Sequence, residues 1–162
     1  MKSRQGFTLV ELMIVVALIA IIAGIAVINL VRSRMNANEA AAASAMRSIS
    51  TGEIAFQTAA FVDDDTDGNG DYGTLPQLVN PDGAGQTAPF IDPILGNGNK
   101  LGYVYTVSVT LGSGAVAPAY TCFGTPASPG RTGYRQFYVD DSGVIRFTED
   151  GSAAGPGSSP LN

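Results

Sequence analysis

Oxygen-bearing side chains alternate along one short stretch, Asp63-x-Asp65-x-Asp67-Gly68-Asn69-x-Asp71. Oxygens at alternate positions of a tight loop can converge on a hard cation, and the glycine after the third aspartate supplies the sharp turn that EF-hand calcium loops use. The position that normally carries a bidentate glutamate is Thr74, so a last ligand would have to come from elsewhere. Two readings stay open. Asp63, Asp65, Asp67, Asn69 and Asp71 form a calcium site, or they form a solvated acidic loop that merely stops a helix. Other chemistry finds little to stand on. The chain has no histidine, which excludes a histidine general base, a histidine-containing triad or a histidine-ligated zinc. Cys122 is the sole cysteine, so no intramolecular disulfide can form, and it reads as a small buried hydrophobe. The neighbours Asp140 and Asp141 read as a turn rather than as a catalytic pair, and Arg131 and Arg135 as solvated charges at strand edges. With a formal charge of −5 and its acids crowded into the second half, the chain offers no basic surface for nucleic acid. An enzyme is not indicated.

A second chemical oddity lies near the start. From Leu12 to Ile28 no residue is charged, and Gly24 is the one residue there that is neither strongly apolar nor alanine. About 17 residues at about 1.5 Å each reach about 25 Å, and Phe7 to Val10 and Leu30 extend the run to bilayer thickness. A signal peptide has a shorter apolar region ending at a small-residue cleavage site, and a soluble core helix is not apolar all round. Glu11 sits inside this segment, where a carboxylate costs a few kcal/mol on insertion scales. It needs a partner, and the nearest arginine or lysine is Arg4. A cut just before Phe7 would create an α-amino cation four residues from Glu11, able to pair with its own carboxylate or a neighbouring chain's.

The segment Gly6-Phe7-Thr8-Leu9-Val10-Glu11, with Lys2 and Arg4 before it and the apolar run after it, resembles the N-terminal signal of type IV prepilins and type II secretion pseudopilins. The resemblance covers Met1 to about Arg34. It implies a leader, residues 1–6, removed between Gly6 and Phe7 by a membrane prepilin peptidase that also methylates the Phe7 amine. It further implies a cytoplasmic leader, in line with the positive-inside rule, and a role for Glu11 in assembly on an inner-membrane platform. The resemblance is incomplete in two places. Where many pilins carry a helix-kinking proline this chain has Ile28, and the C-terminal disulfide common in pilins cannot form.

Around these residues the expected architecture is α+β and pilin-like. Residues 7–31 form a transmembrane or filament-core helix. Residues 32–162 form the amphipathic half of the same helix plus a soluble head with a small antiparallel sheet. From Asn36 to about Phe61, Ala42, Met46, Ile49, Glu53, Phe56 and Ala60 step by three and four along one helix face. Glu53 interrupts that stripe, with Ile54 expected to fill beside it. Residues 75–102 read as loop, with a turn of helix at Thr74–Leu78. Tyr103–Thr110, Ala119–Phe123, Tyr134–Val139 and Val144–Thr148 read as strands, the last two a hairpin across Asp140–Gly143. Residues 130–146 loosely resemble the C-terminal hairpin of pseudopilins, and residues 150–162 read as a mobile tail.

The expected function is that of a filament subunit precursor: single-pass in the bacterial inner membrane, N-terminus cytoplasmic, head periplasmic or extracellular, polymerising with itself. A secretion pseudopilin is the first reading and a pilus subunit for adhesion, motility or DNA uptake the alternative. A membrane-anchored calcium-binding module that never polymerises is the second alternative.

Overall fold

The computed structural model describes residues 6–113 and 116–161. Lys2 and Arg4, expected in a leader, lie outside the described residues. The chain divides into two compact units, Met1–Arg34 and Met35–Asn162, each of which is described by itself.

The first unit is the opening of helix α1, Leu9–Thr58. Its stretch after Thr8 is rich in leucine, isoleucine, valine and alanine with no proline, so no backbone donor is lost and the helix runs unbroken past Ile28. Every large apolar side chain from Phe7 to Val31 is exposed, Phe7 at 90% and Val31 at 42%. By length and composition the helix can cross a membrane.

The second unit has its core where the helix turns one-sided. Ala42, Ala43, Ala45, Met46, Ile49, Ser50, Gly52, Glu53 and Phe56 are buried. The expected stripe is therefore the packed face, with two corrections. Ile54 is exposed and does not fill beside Glu53, which is itself fully buried. Ala60 lies beyond the helix end, with a left-handed φ of 48°. The chain then runs through α2, Leu75–Val79, and α3, Pro93–Gly96. The sequence reading anticipated only the first. α3 is started by Asp92, whose side chain accepts from the Ile94 amide at 3.0 Å, with Pro93 at the first helical position.

The sheet is an antiparallel meander of β1 (Asn99–Lys100), β2 (Tyr103–Thr110), β3 (Ala119–Pro126), β4 (Gln136–Asp140), β5 (Arg146–Thr148) and β6 (Ser159–Pro160), in that spatial order. Alternation along β2 and β3 turns Tyr103, Tyr105, Tyr120 and Cys122 into the core. Cys122 is fully buried, its Sγ 3.8 Å from the Sδ of Met46 on the helix. The β4–β5 connection is a turn closed by Asp140, which accepts from the Ser142 amide at 3.1 Å and from the Ser142 hydroxyl. Asp140 thus serves the turn rather than a catalytic pair.

The C-terminal segment departs from expectation. Instead of a mobile tail, residues 150–161 return to the sheet. β6 pairs with β5, the Leu161 amide donates to the Ile145 carbonyl at 2.7 Å, and Ala154 is 3% exposed. Glycine, serine and proline composition signals turns, but a two-residue edge strand between turns has no periodicity to read. Arg135 likewise is not simply solvated: its guanidinium meets Glu149 at 2.9 Å and Glu39 at 3.7 Å and lies over the Phe147 ring.

Candidate functional site

At the start of α1, Glu11 finds a partner within its own turn. The Thr8 amide and the Thr8 hydroxyl each donate to Glu11 Oε2 at 2.8 Å, and the Glu11 amide donates to the Thr8 hydroxyl at 3.2 Å. Together these contacts are a capping box, which satisfies two amides that the helix leaves open and sets a negative charge at the positive end of the helix dipole. The Thr-x-x-Glu spacing that signals it stands in the sequence. Gly6 and Phe7 precede this cap outside the helix and are exposed.

The acidic loop divides the residues named from the sequence into two sets. Oxygens of Asp63, Asp65 and Asp67 lie within 4.8 Å of one another. Backbone amides hold all three: Gly68 donates to Asp63 Oδ2 at 3.1 Å, Asp67 to Asp65 Oδ1 at 3.3 Å, and Asn69 to Asp67 Oδ1 at 2.7 Å. The Asn69 amide and side chain together hold the Asp67 carboxyl below the usual carboxylate range. The Asn69 side-chain amide also donates to Asp67 Oδ2 at 3.1 Å. Asp71 serves the backbone instead. It is buried, and its two oxygens accept from the Asp64 amide at 2.9 Å and the Gly112 amide at 2.5 Å. It is a staple between the loop and the end of β2. Thr74, at the position of the missing glutamate, opens α2, its amide donating to Gln77 Oε1 at 2.8 Å.

The remaining trio fits a divalent cation in chemistry. The three carboxylates are hard oxygen donors, and Asp63 Oδ1 is a buried oxygen without a hydrogen-bond partner. The trio alone supplies fewer ligands than calcium takes, so the rest of the shell would be water or carbonyl oxygen.

A buried acid completes the list. Glu53, read from the sequence only as a break in the apolar stripe, accepts from the Gly73 amide at 3.0 Å through Oε2, while Oε1 is buried without a partner. Burial pushes its carboxyl up to about 7, against the opposing pull of the Gly73 amide. The position of an acid in an apolar helical stripe was the available signal.

A long helix, apolar all round and then one-sided, with an antiparallel meander beside its one-sided half, is an α+β pilin-like fold. Residues 1–27 match the prokaryotic N-terminal methylation motif. The chain is also similar to the type IV wide pilus major component PilA4 of Thermus thermophilus, with 49% identity over 39 residues, 24% of this chain and 30% of that protein. It thus spans under a third of the length of that curated relative. No solved structure matches. Over its N-terminal segment the chain is therefore similar to the type IV pilins.

Proposed function

We propose that this protein is a structural, non-enzymatic subunit of a type IV pilus-like filament, made as a membrane-anchored precursor. One observation carries the reading: a helix whose large apolar side chains are all exposed from Phe7 to Val31 and whose first turn holds a carboxylate. Such a surface needs lipid before assembly and other apolar helices afterwards. Copies of the same segment supply those helices in a self-polymer. Glu11 is suited to the transfer. In the single subunit its charge rests on Thr8, and in the polymer it can exchange that neutral partner for the Phe7 amine of a neighbour. A charge pair in a low-dielectric bundle is strongly distance-dependent and so sets register.

The proposed partners are further copies of the chain, a prepilin peptidase acting at Gly6–Phe7 and an inner-membrane assembly platform, with the head on the far side of the membrane. Within this class the pilus role is favoured by the name of the relative matched over 39 residues. The secretion pseudopilus role is favoured by the head, which has no cysteine pair to close it. The acidic trio Asp63, Asp65 and Asp67 is proposed as a calcium site of the head, on the strength of the orphaned Asp63 oxygen.

The test is mass spectrometry and electron microscopy of fibres sheared from cells. The expected chain begins at Phe7 and carries one extra methyl group, and Glu11→Val leaves processed monomer in the membrane with few fibres. An intact leader in cells with an active peptidase, or normal fibre yield from the variant, would overturn the reading. Surface fibres against a loss of protein export in a deletion strain separates pilus from pseudopilus.

A further inference from the structure

We propose that Glu53 is a proton-operated latch, holding the end of the acidic loop against the helix when neutral and releasing it when ionised. The geometry comes first. The side chain is fully buried, points from α1 at the point where the loop rejoins the core, and takes the Gly73 amide on one oxygen while the other has no hydrogen-bond partner. Gly73 directly precedes Thr74, which opens α2, so this one bond joins the helix, the loop and the next element.

The groups facing the carboxyl offer it no compensation as an anion. From the loop comes the phenol of Tyr72, itself in the field of Asp141 on the β4–β5 turn. From β3 come Tyr120 and the buried thiol of Cys122, both of which feel the Glu53 charge as a repulsion. Among the described residues no lysine or arginine forms an ion pair with Glu53. An unpaired buried anion is costly, whereas a neutral carboxyl in the same place loses little, so the closed state selects the proton. The Gly73 bond would strengthen on ionisation, but the desolvation cost is the larger of the two opposing effects, consistent with the raised pKa.

Ionisation is relieved by letting water reach the carboxyl. The cheapest route is to part Glu53 from Gly73 and lift the loop end. Asp71 still pins the loop to Gly112 and Asp64, so the opening is local rather than a loss of the fold. The loop therefore responds to pH through a residue it does not contain.

The experiment is hydrogen exchange of the full chain in detergent micelles, read by mass spectrometry on the segment spanning Asp71–Thr74 and corrected for intrinsic rates. Between about pH 5.5 and about pH 8, protection of this segment in the wild type is expected to fall roughly tenfold or more. Glu53→Gln, which keeps the acceptor for Gly73 without the charge, is expected to hold its protection at both. Equal protection of the wild type at both values, or the same fall in Glu53→Gln, overturns the latch. If the variant does not fold, the wild type decides alone through the infrared band of its buried neutral carboxyl. Presence of that band near pH 6 and its loss by about pH 8 supports the latch, and its absence near pH 6 overturns it.

Discussion

Gly70 is where the acidic loop touches the end of α1, and replacing it with alanine probes what places the loop. A Cβ built there lies 2.1 Å from the Gln57 carbonyl oxygen and 2.7 Å from the Ala60 Cα. Both are backbone atoms, one in the last turn of the helix and one just past its end, so no side chain can turn aside, and the loop has to move by more than about 1 Å to reach ordinary contact. Overpacking of this kind costs about 1–3 kcal/mol and occasionally more. With backbone on both sides of the contact, about 3 kcal/mol is expected, a fall of roughly 10 °C in Tm for a unit of this size. Gly68→Ala is the control. Its φ is +87° but its Cβ meets nothing within 4 Å, so only the left-handed backbone is penalised, by about 1 kcal/mol. Circular dichroism melts of the two full-length variants in detergent compare the effects directly. A Gly70→Ala melt no lower than that of Gly68→Ala would refute the close-contact reasoning.

Three further outcomes are expected. Met46→Ala removes a fully buried side chain in contact with Cys122 and should lower stability by about 3 kcal/mol in urea unfolding; a loss under about 1 kcal/mol would show that the site collapses freely. Calcium at about 100 times its dissociation constant should stabilise the head by about 2.7 kcal/mol. Chelation or Asp63→Asn with Asp65→Asn should remove that gain, and no thermal shift with millimolar calcium counts against the site. Because the folded Glu53 keeps its proton to about 7 against an ordinary 4.5, the folded state binds more protons than the unfolded one between those values. Stability should therefore fall as pH rises across that window, by roughly 3 kcal/mol at most, and level off above it; a melting series with Glu53→Gln should lack this component.

What could be read without coordinates was whatever has a period or a fixed spacing. The helix face of Met46, Ile49 and Phe56 and the alternation of Tyr103–Thr110 rest on repeats of 3.6 and 2, and both elements stand where the pattern puts them. β5 falls within the strand that the sequence pattern places at Val144–Thr148, whereas β6 is two residues long and shows no period, so the tail carries no readable strand. Within the candidate sites, spacing alone brought Asp63, Asp65 and Asp67 together. It could not foresee that Asp71 turns inward to Gly112, since that partner lies in a distant segment. Thr8 was legible but overlooked, because a buried-charge argument directs attention to cations before hydroxyls.

The closing strand has a bearing on crowding. β6 is only two residues long, and Pro160 has no amide to offer, so this border of the sheet cannot template a further strand along any useful length. If heads are brought side by side at very high local concentration along a fibre, their sheets do not zip into one another through this edge. Heads that approach through this edge must meet through side chains, which can be exchanged and repacked. Contact made that way can be undone to leave intact subunits, unlike the continuous backbone pairing that makes amyloid so hard to reverse.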